Sequence, residues 1–370
     1  MPTEPLFDPA DFRIQPGLAH LCAGGETAFL HRHDAALQRY AADKSSGMPG
    51  RAAQEAQVER ARALAARAWG ATPEDIGFVS SVAEGVSMLV ESLDWQPGDA
   101  VCLDPDEYPS VALPALMRQG IEPLFVPMHD PEAVARAAGR RARLIAVSHV
   151  SYLTGRRYDL SALRTVADHV GALLVVDHTQ AAGYLPIEAP IADFAFAATY
   201  KWLLGMTGTT IAYWNRARQP DWRPSTAGWH SVASMVRPEY SATPVLRPDA
   251  MRFTRGNPAH GPLYVLADAL DYLAGFDPHA VQAHVQALTT ELLARLRDRG
   301  IPSTTPAEPE HHGASVCIEH ADSAAIVAAL EQRGVLTWGG RGRLRVSFHG
   351  YNADTDLDAL MAALDETRQG

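Results

Sequence analysis

The sequence is poor in the features that would make it something other than an ordinary globular chain. It has three cysteines in 370 residues, Cys22, Cys102 and Cys317, far apart and without the paired spacing of a metal site. That excludes a disulfide scaffold and a zinc framework and points to a reducing setting. No leader-like segment opens the sequence, so the expectation is a cytoplasmic protein. There is no basic excess: 32 Lys and Arg stand against 43 Asp and Glu, a net charge of −11, which gives no support to a nucleic-acid or anionic-membrane partner. No apolar run approaches the roughly 20 residues of a membrane-spanning helix. Tandem repeats and low-complexity segments are absent. Neither G-x-G-x-x-G nor a Walker A loop follows the first expected strand, which argues against an unrelated nucleotide-binding α/β protein. At this length the chain can bury a full core and divide into a large and a small domain.

What is present centres on residues 192–210, ADFAFAATYKWLLGMTGTT. Lys201 stands between Tyr200 and Trp202, just after the apolar run 194–198. Apolar surroundings lower a lysine's pKa and leave a nucleophilic amine, which a Schiff base with an aldehyde requires. By itself the residue reads more readily as a strand-end lysine that snorkels to solvent. The stretch upstream decides between these. Residues 172–176 read as a buried parallel strand ending in Asp177, at the carboxyl edge where open α/β sheets place ligands, and Gln180 follows. A carboxylate at one strand end and a lysine at the next suit pyridoxal phosphate (PLP). The first keeps the pyridine nitrogen protonated and the second carries the aldehyde.

On VVDHTQAAG and ATYKWLLG the chain resembles the fold-type I PLP enzymes of aminotransferase class V, a group that includes cysteine desulfurases, kynureninases and isopenicillin N epimerase-like proteins. The resemblance runs over nearly all of the chain beyond residue 20. It implies a homodimer with shared active sites and an amino-acid substrate, with no metal. Lys201 and Asp177 are the implied catalytic pair, and Gln180 contacts the ring oxygen. The phosphate falls to the turn Ser81-Val82-Ala83 between the strand 75–81 and a helix from about residue 83, where backbone amides and the helix dipole face an anion. Thr199 and Tyr200 assist there. Tyr108 occupies the position of the ring-stacking residue. Asn257, in MRFTRGNPAHGPL, is implied to reach the partner subunit's site. Arg345, in RLRVSFHGYN, aligns with the carboxylate-binding arginine, with Arg343 in reserve. Ser151 and Tyr152, after the strand 143–150, are expected to face substrate.

Strands alternating with helices between residues 70 and 200 predict a large domain with a mainly parallel sheet of the seven-stranded type, flanked by helices. Further helices are expected over 51–69, 131–140, 160–170 and 279–299. The stretch 222–235, rich in Trp, Gly and His, resembles an element of kynureninases. The domain bounds read as an arm over 1–20, a PLP-binding domain over 21–276 and a small α/β domain over 277–370. The segment 333–345 lacks the mobile cysteine of the desulfurases, which sets a persulfide-forming reaction aside. The expected reaction is a lyase or aminotransferase-type conversion of an amino acid through a carbanion-like state at Cα, with cleavage of a C–S or related bond. Kynureninase-like C–C hydrolysis and epimerisation are the alternatives.

Overall fold

The structure, a computed structural model, describes residues 3–139, 141–233 and 244–369. The N-terminal stretch carries a two-residue strand, β1 (Ala19–His20). The strands of the main sheet follow in chain order: β2 (Ile76–Val79), β3 (Ala100–Leu103), β4 (Glu122–Phe125), β5 (Ala142–Ser148), β6 (Leu173–Asp177), β7 (Phe194–Ala198) and β8 (Thr210–Trp214). They lie side by side in the order β2-β8-β7-β6-β5-β3-β4, a seven-stranded sheet. Every neighbouring pair from β4 to β7 is parallel, and β8 alone runs antiparallel to both its neighbours. The expectation of a mainly parallel sheet flanked by helices is met.

The sheet is buried on both faces, and the two-residue period of the strands sorts their side chains. Cys102, Ile145, Val147, Leu174 and Val176 pack into one core. Val101, Leu103, Leu144, Ala146 and Val175 pack into the other. Such double burial is why these strands read as continuous apolar runs rather than alternating ones. The edge strand β4 is the exception: it is largely exposed and carries Pro123, which an edge tolerates. The helix Leu160–Val170 shows how the local sequence sets an element. Asp159 caps it by accepting from the Ala162 amide at 2.9 Å, and Gly171 ends it in the left-handed region at φ 77°. Leu160, Leu163 and Val166 are buried along its inner face, each contributing about 2 kcal/mol.

The helix expected over 51–69 begins earlier, at Gly47, and runs to Ala68. Pro49 falls in its first turn, where a proline has no hydrogen bond to lose. Pro109 and Pro262 likewise fall in the first turns of the helices Pro109–Leu116 and His260–Leu273, which the sequence reading does not anticipate. The helix expected over 131–140 is Pro131–Ala138, with residue 140 outside the described residues. Residues 234 and 235 of the Trp-, Gly- and His-rich stretch also lie outside them.

Beyond the long helix Pro278–Asp298 come β9 (Ser315–Glu319), β10 (Val335–Leu336), β11 (Trp338–Gly340) and β12 (Arg343–Ser347). They form an antiparallel sheet in the order β11-β12-β9, while β10 pairs with β1. Two backbone contacts bind this part of the chain to the lysine segment. Trp202 Nε1 donates to the Phe348 carbonyl at 2.7 Å, and His349 Nε2 lies 2.9 Å from the Trp202 carbonyl.

Candidate active site

Three strand ends and the small sheet converge on one cleft of about 430 Å³. Tyr108, Tyr152 and Lys201 line it from the main sheet's carboxyl edge, and Trp338, Arg341 and Arg345 from the small sheet. Gln180 and Tyr200 also reach its wall, and Gly24 to Glu26 close it from the N-terminal segment.

Lys201 follows β7 in a tight turn in which the Leu204 amide donates to the Lys201 carbonyl and the Gly205 amide to the Thr199 carbonyl, both at 2.8 Å. Leu204 takes a positive φ of 58° in that turn. Gly183 is needed beneath it, since a Cβ there would lie 2.1 Å from the Trp202 carbonyl oxygen and φ is 109°. The lysine side chain is 6% exposed. Its ammonium lies 5.5 Å from the Tyr200 ring centre and 5.7 Å from that of Tyr108. No carboxylate is in ion-pair contact with it among the described residues. Burial, reinforced by the positive charge of Arg345, lowers its pKa to about 8, against the opposing pull of Asp177. The sequence contains only one other lysine, Lys44, which is exposed at the end of the helix His33–Lys44.

Asp177 ends β6 and is buried, its Oδ1 accepting from the Thr179 amide at 2.8 Å. Burial is the main force raising its pKa, so a buried cation beside it would be welcome. Glu107, which the sequence reading passes over, sits next to Tyr108. Its Oε2 accepts from the Ser148 amide at 2.9 Å, and its Oε1 from the Ser148 hydroxyl at 2.5 Å and the Tyr108 amide at 2.7 Å. Ser148 pairs in register with Asp177. Burial pushes the Glu107 carboxyl up to about 7. The Tyr108 ring meets Tyr152 edge to face, with centres 4.9 Å apart.

Ser81 caps the helix Val82–Ser92, its hydroxyl accepting from the Glu84 amide at 3.1 Å. The Glu84 carboxylate turns back to the Ser80 amide at 2.7 Å. The first-turn amides of Val82 and Ala83 have no protein acceptor among the described residues, leaving a positive helix start open to an anion. Ala83 and Pro109 line an adjoining hollow, and Pro109 also lines the lysine cleft, which sets this turn beside it.

On the opposite wall Arg345 is 3% exposed. Its Nη1 donates to the Tyr152 carbonyl at 3.0 Å, its Cζ lies 4.6 Å from the Trp338 ring centre, and its Nε has no partner. A Cβ at Gly24 would meet the Ser347 hydroxyl at 2.6 Å and Arg345 Nε at 3.2 Å, so glycine is what lets the N-terminal segment close over the arginine. Arg343 pairs instead with Glu319 at 3.3 Å and does not line the cleft.

The remaining residues divide. Gln180 Nε2 donates to the Gly24 carbonyl at 3.1 Å, and the Tyr152 hydroxyl accepts from Arg341 at 2.5 Å. Ser151 and Thr199 do not line the cleft. The Ser151 hydroxyl accepts from the Leu153 and Thr154 amides, and the Thr199 hydroxyl donates to the Met206 and Thr209 carbonyls. Both support turns that present their neighbours. Asn257 lines a different hollow, with Ser80 and Thr209, and accepts from Arg51 at 2.6 Å. Besides Glu107, which does not line the cleft, the sequence reading misses the cleft residues Glu26, Trp338 and Arg341. The one hint it offered for the last two was their position just ahead of Arg345.

These groups fit pyridoxal phosphate. Among the described residues, a buried carboxylate is in ion-pair contact with no cation, a desolvated amine with no anion, two helix-start amides have no acceptor, and an aromatic ring stands beside the amine. Fold and site together define a PLP-dependent enzyme of fold type I. The description of the aminotransferase class-V family matches residues 27–360. A probable cysteine desulfurase of Methanothermobacter thermautotrophicus is 25% identical over 344 residues, 84% of this chain and 83% of that protein. An isopenicillin N epimerase of Amycolatopsis lactamdurans is 29% identical over 329 residues, 80% of this chain and 81% of the other. A kynureninase of Pseudomonas fluorescens is 28% identical over 240 residues, covering 62% and 56%. The solved structure of an apo cysteine desulfurase from Thermococcus onnurineus NA1 superposes with a TM-score of 0.87 at 20% identity, covering 97% and 96%. The chain belongs to the aminotransferase class-V family.

Proposed function

We propose that the chain catalyses a lyase or aminotransferase-type reaction on an amino acid, with cleavage of a C–S or related bond at the side chain. One observation carries this reading: an amine without an ion-pair partner, Lys201, and a buried arginine with a free Nε, Arg345, face one cleft whose hairpin wall bears no cysteine. The cysteine paired in register with Arg345, Cys317, is fully buried on β9. A persulfide acceptor is therefore missing from that wall, while elimination or transamination needs none.

The chemistry supplied by bound PLP is an electron sink for the substrate's Cα. Lys201 would hold the aldehyde of the bound cofactor, and its amine is the group placed to take and return a proton at the substrate's Cα. A pKa near 8 suits both directions. Asp177 would keep the pyridine nitrogen protonated, and Gln180 and Tyr108 would hold the ring. The amides of Val82 and Ala83, with the Ser81 hydroxyl and Tyr200, would hold the phosphate. Arg345 takes the α-carboxylate beside Tyr152. We assign Asn257 to the partner subunit's site in a homodimer, supported by its position away from the cleft of its own chain. The division into an arm over 1–20, a cofactor domain over 21–276 and a small domain over 277–370 is supported by the main sheet lying within residues 76–214 and the small sheet within 315–347.

Among the described residues, no helix is long and apolar enough to cross a membrane. Kynureninase-like hydrolysis is the second reading, favoured by Ser151-Tyr152 after β5 and by the kynureninase likeness; epimerisation is the third.

The test is direct. The purified protein should absorb at roughly 410–430 nm, the band of a PLP Schiff base with lysine. Borohydride reduction and peptide mapping should label Lys201 and not Lys44, and Lys201→Ala should fold yet lose turnover. Product analysis after adding candidate amino acids then separates keto-acid release from hydrolysis and inversion. A protein without the band, or labelled at Lys44, would sink the assignment.

A further inference from the structure

Arg341 has no role in the reading above, yet its backbone and side chain are both unusual. It is the first residue of the two-residue turn that joins β11 to β12, closed by the Gly340–Arg343 pair. Both turn residues have positive φ, 51° at Arg341 and 69° at Gly342. That is the pattern of the hairpin turn favouring Asn-Gly or Gly-Gly, in which an arginine carries a conformational cost. Strain of this sort persists where the side chain is needed, so the outlier itself points to a function.

The side chain reaches back onto the cleft wall, where Nη1 donates to the Tyr152 hydroxyl at 2.5 Å and Cζ lies 5.6 Å from the Tyr152 ring centre. Arg345 meets the same residue at its other end, through the backbone carbonyl. Two guanidinium groups are thus held apart by about the length of one tyrosine side chain. Neither has a carboxylate partner among the described residues. Glu26, the one acid on the cleft wall, is in ion-pair contact with neither. Because the Tyr152 oxygen accepts from Arg341, its own proton is free to be donated, and burial raises its pKa so that it stays protonated. The cleft therefore presents one cationic site beside Lys201 and a second further out.

We propose that Arg341 is the specificity-determining cation of this site, and that the substrate is an amino acid whose side chain ends in an anion: a carboxylate, sulfinate, sulfonate or phosphate. Arg345 takes the α-carboxylate, while Arg341 and the Tyr152 hydroxyl take the distal anion. This rests on the reading of Lys201 and Arg345 given under the proposed function.

The test uses the holoenzyme and matched amino acids: L-aspartate, L-cysteine sulfinate and O-phospho-L-serine against L-asparagine, S-methyl-L-cysteine and L-serine. Perturbation of the cofactor band gives Kd, and product formation gives kcat/KM. At least one anionic member should bind roughly 10- to 100-fold more tightly than its neutral counterpart, the scale of a charge-assisted hydrogen bond. Arg341→Asn suits the turn and removes the charge; it should erase that preference, and Arg341→Lys should retain part of it. If Arg341→Asn unfolds before the parent protein, the Lys variant decides by its reduced preference. Equal binding of anionic and neutral partners, or a preference that survives in Arg341→Asn and is undiminished in Arg341→Lys, overturns this inference and leaves the proposed function standing. Failure of every amino acid to perturb the band overturns both.

Discussion

The two walls of the cleft are built on different plans. The inner wall, with Asp177, Lys201 and the turn at Val82, stands on the carboxyl ends of adjacent strands and on a helix start. Its side chains are placed by backbone hydrogen bonds inside a doubly buried sheet. The outer wall, with Trp338, Arg341 and Arg345, stands on a short antiparallel hairpin whose turn is strained, closed by an N-terminal segment that fits only because residue 24 is glycine. On the proposed assignment the inner wall supplies groups any PLP reaction needs and has little room to vary. The outer wall has one fixed guanidinium, Arg345, and around it side chains that alter what is accepted without disturbing the sheet.

If that contrast is right, damage to the inner wall stops chemistry and damage to the outer wall changes recognition. The largest effect is expected for Asp177→Asn, which should keep cofactor bound but slow proton removal at Cα by several orders of magnitude, because an amide cannot hold the pyridine proton. Single-turnover deprotonation at near the parent rate would show that another group does this work. Arg345→Leu should lower kcat/KM roughly 10²-fold, the scale of a lost charge-assisted contact of about 3 kcal/mol. Arg343→Leu should change it by no more than a few-fold, since Arg343 is engaged with Glu319. The reverse ranking would mean that the wrong arginine has been placed in the cleft.

The lysine's environment gives a pH test of the inner wall. The amine loses its proton near 8 instead of at its ordinary 10.5, so the neutral nucleophile accumulates as pH rises toward 8. Uptake of PLP by the apoprotein, followed by absorbance, should accelerate about tenfold per pH unit below that point and level off above it. A rate still climbing tenfold per unit at pH 10 would mean the amine is solvated.

The smallest effect, a factor of two, tests whether the cleft is completed by a second copy. A Lys201→Ala chain and an Asn257→Asp chain should each form inactive homodimers. The Asp carboxylate would repel phosphate or carboxylate in a partly dry site. In the mixed dimer one site carries both defects and the other neither, so activity should return to about half per dimer. No recovery despite verified subunit exchange would return Asn257 to a structural role in its own loop.

The inner wall could be read in the sequence because local rules govern it. The apolar run before Asp177 ends where a buried strand must end, the run before Lys201 does the same, and Ser81 followed by Glu84 three residues later marks a helix start. The helix starts at Gly47 and Pro109 went unread, although a proline in a first turn costs nothing. Thr199 and Ser151 were legible as neighbours of the site but not as its lining, because the direction of a hydroxyl depends on which carbonyls and amides surround it.

The sequence by itself determined the sheet, the lysine and carboxylate at its edge, the cofactor they suit and the family. Each rests on periodicity and on chemistry concentrated within a few consecutive residues. Only the tertiary structure decided the outer wall. Gly24, Tyr152, Trp338, Arg341 and Arg345 come from three distant segments, and although the family resemblance favours Arg345, spacing alone puts Arg343 on the same strand face. The choice between them is made by burial, which draws Arg345 over Trp338 and under Gly24 and leaves Arg343 to a surface carboxylate. Burial belongs to the packed chain as a whole, and so it cannot be read from any one stretch of it.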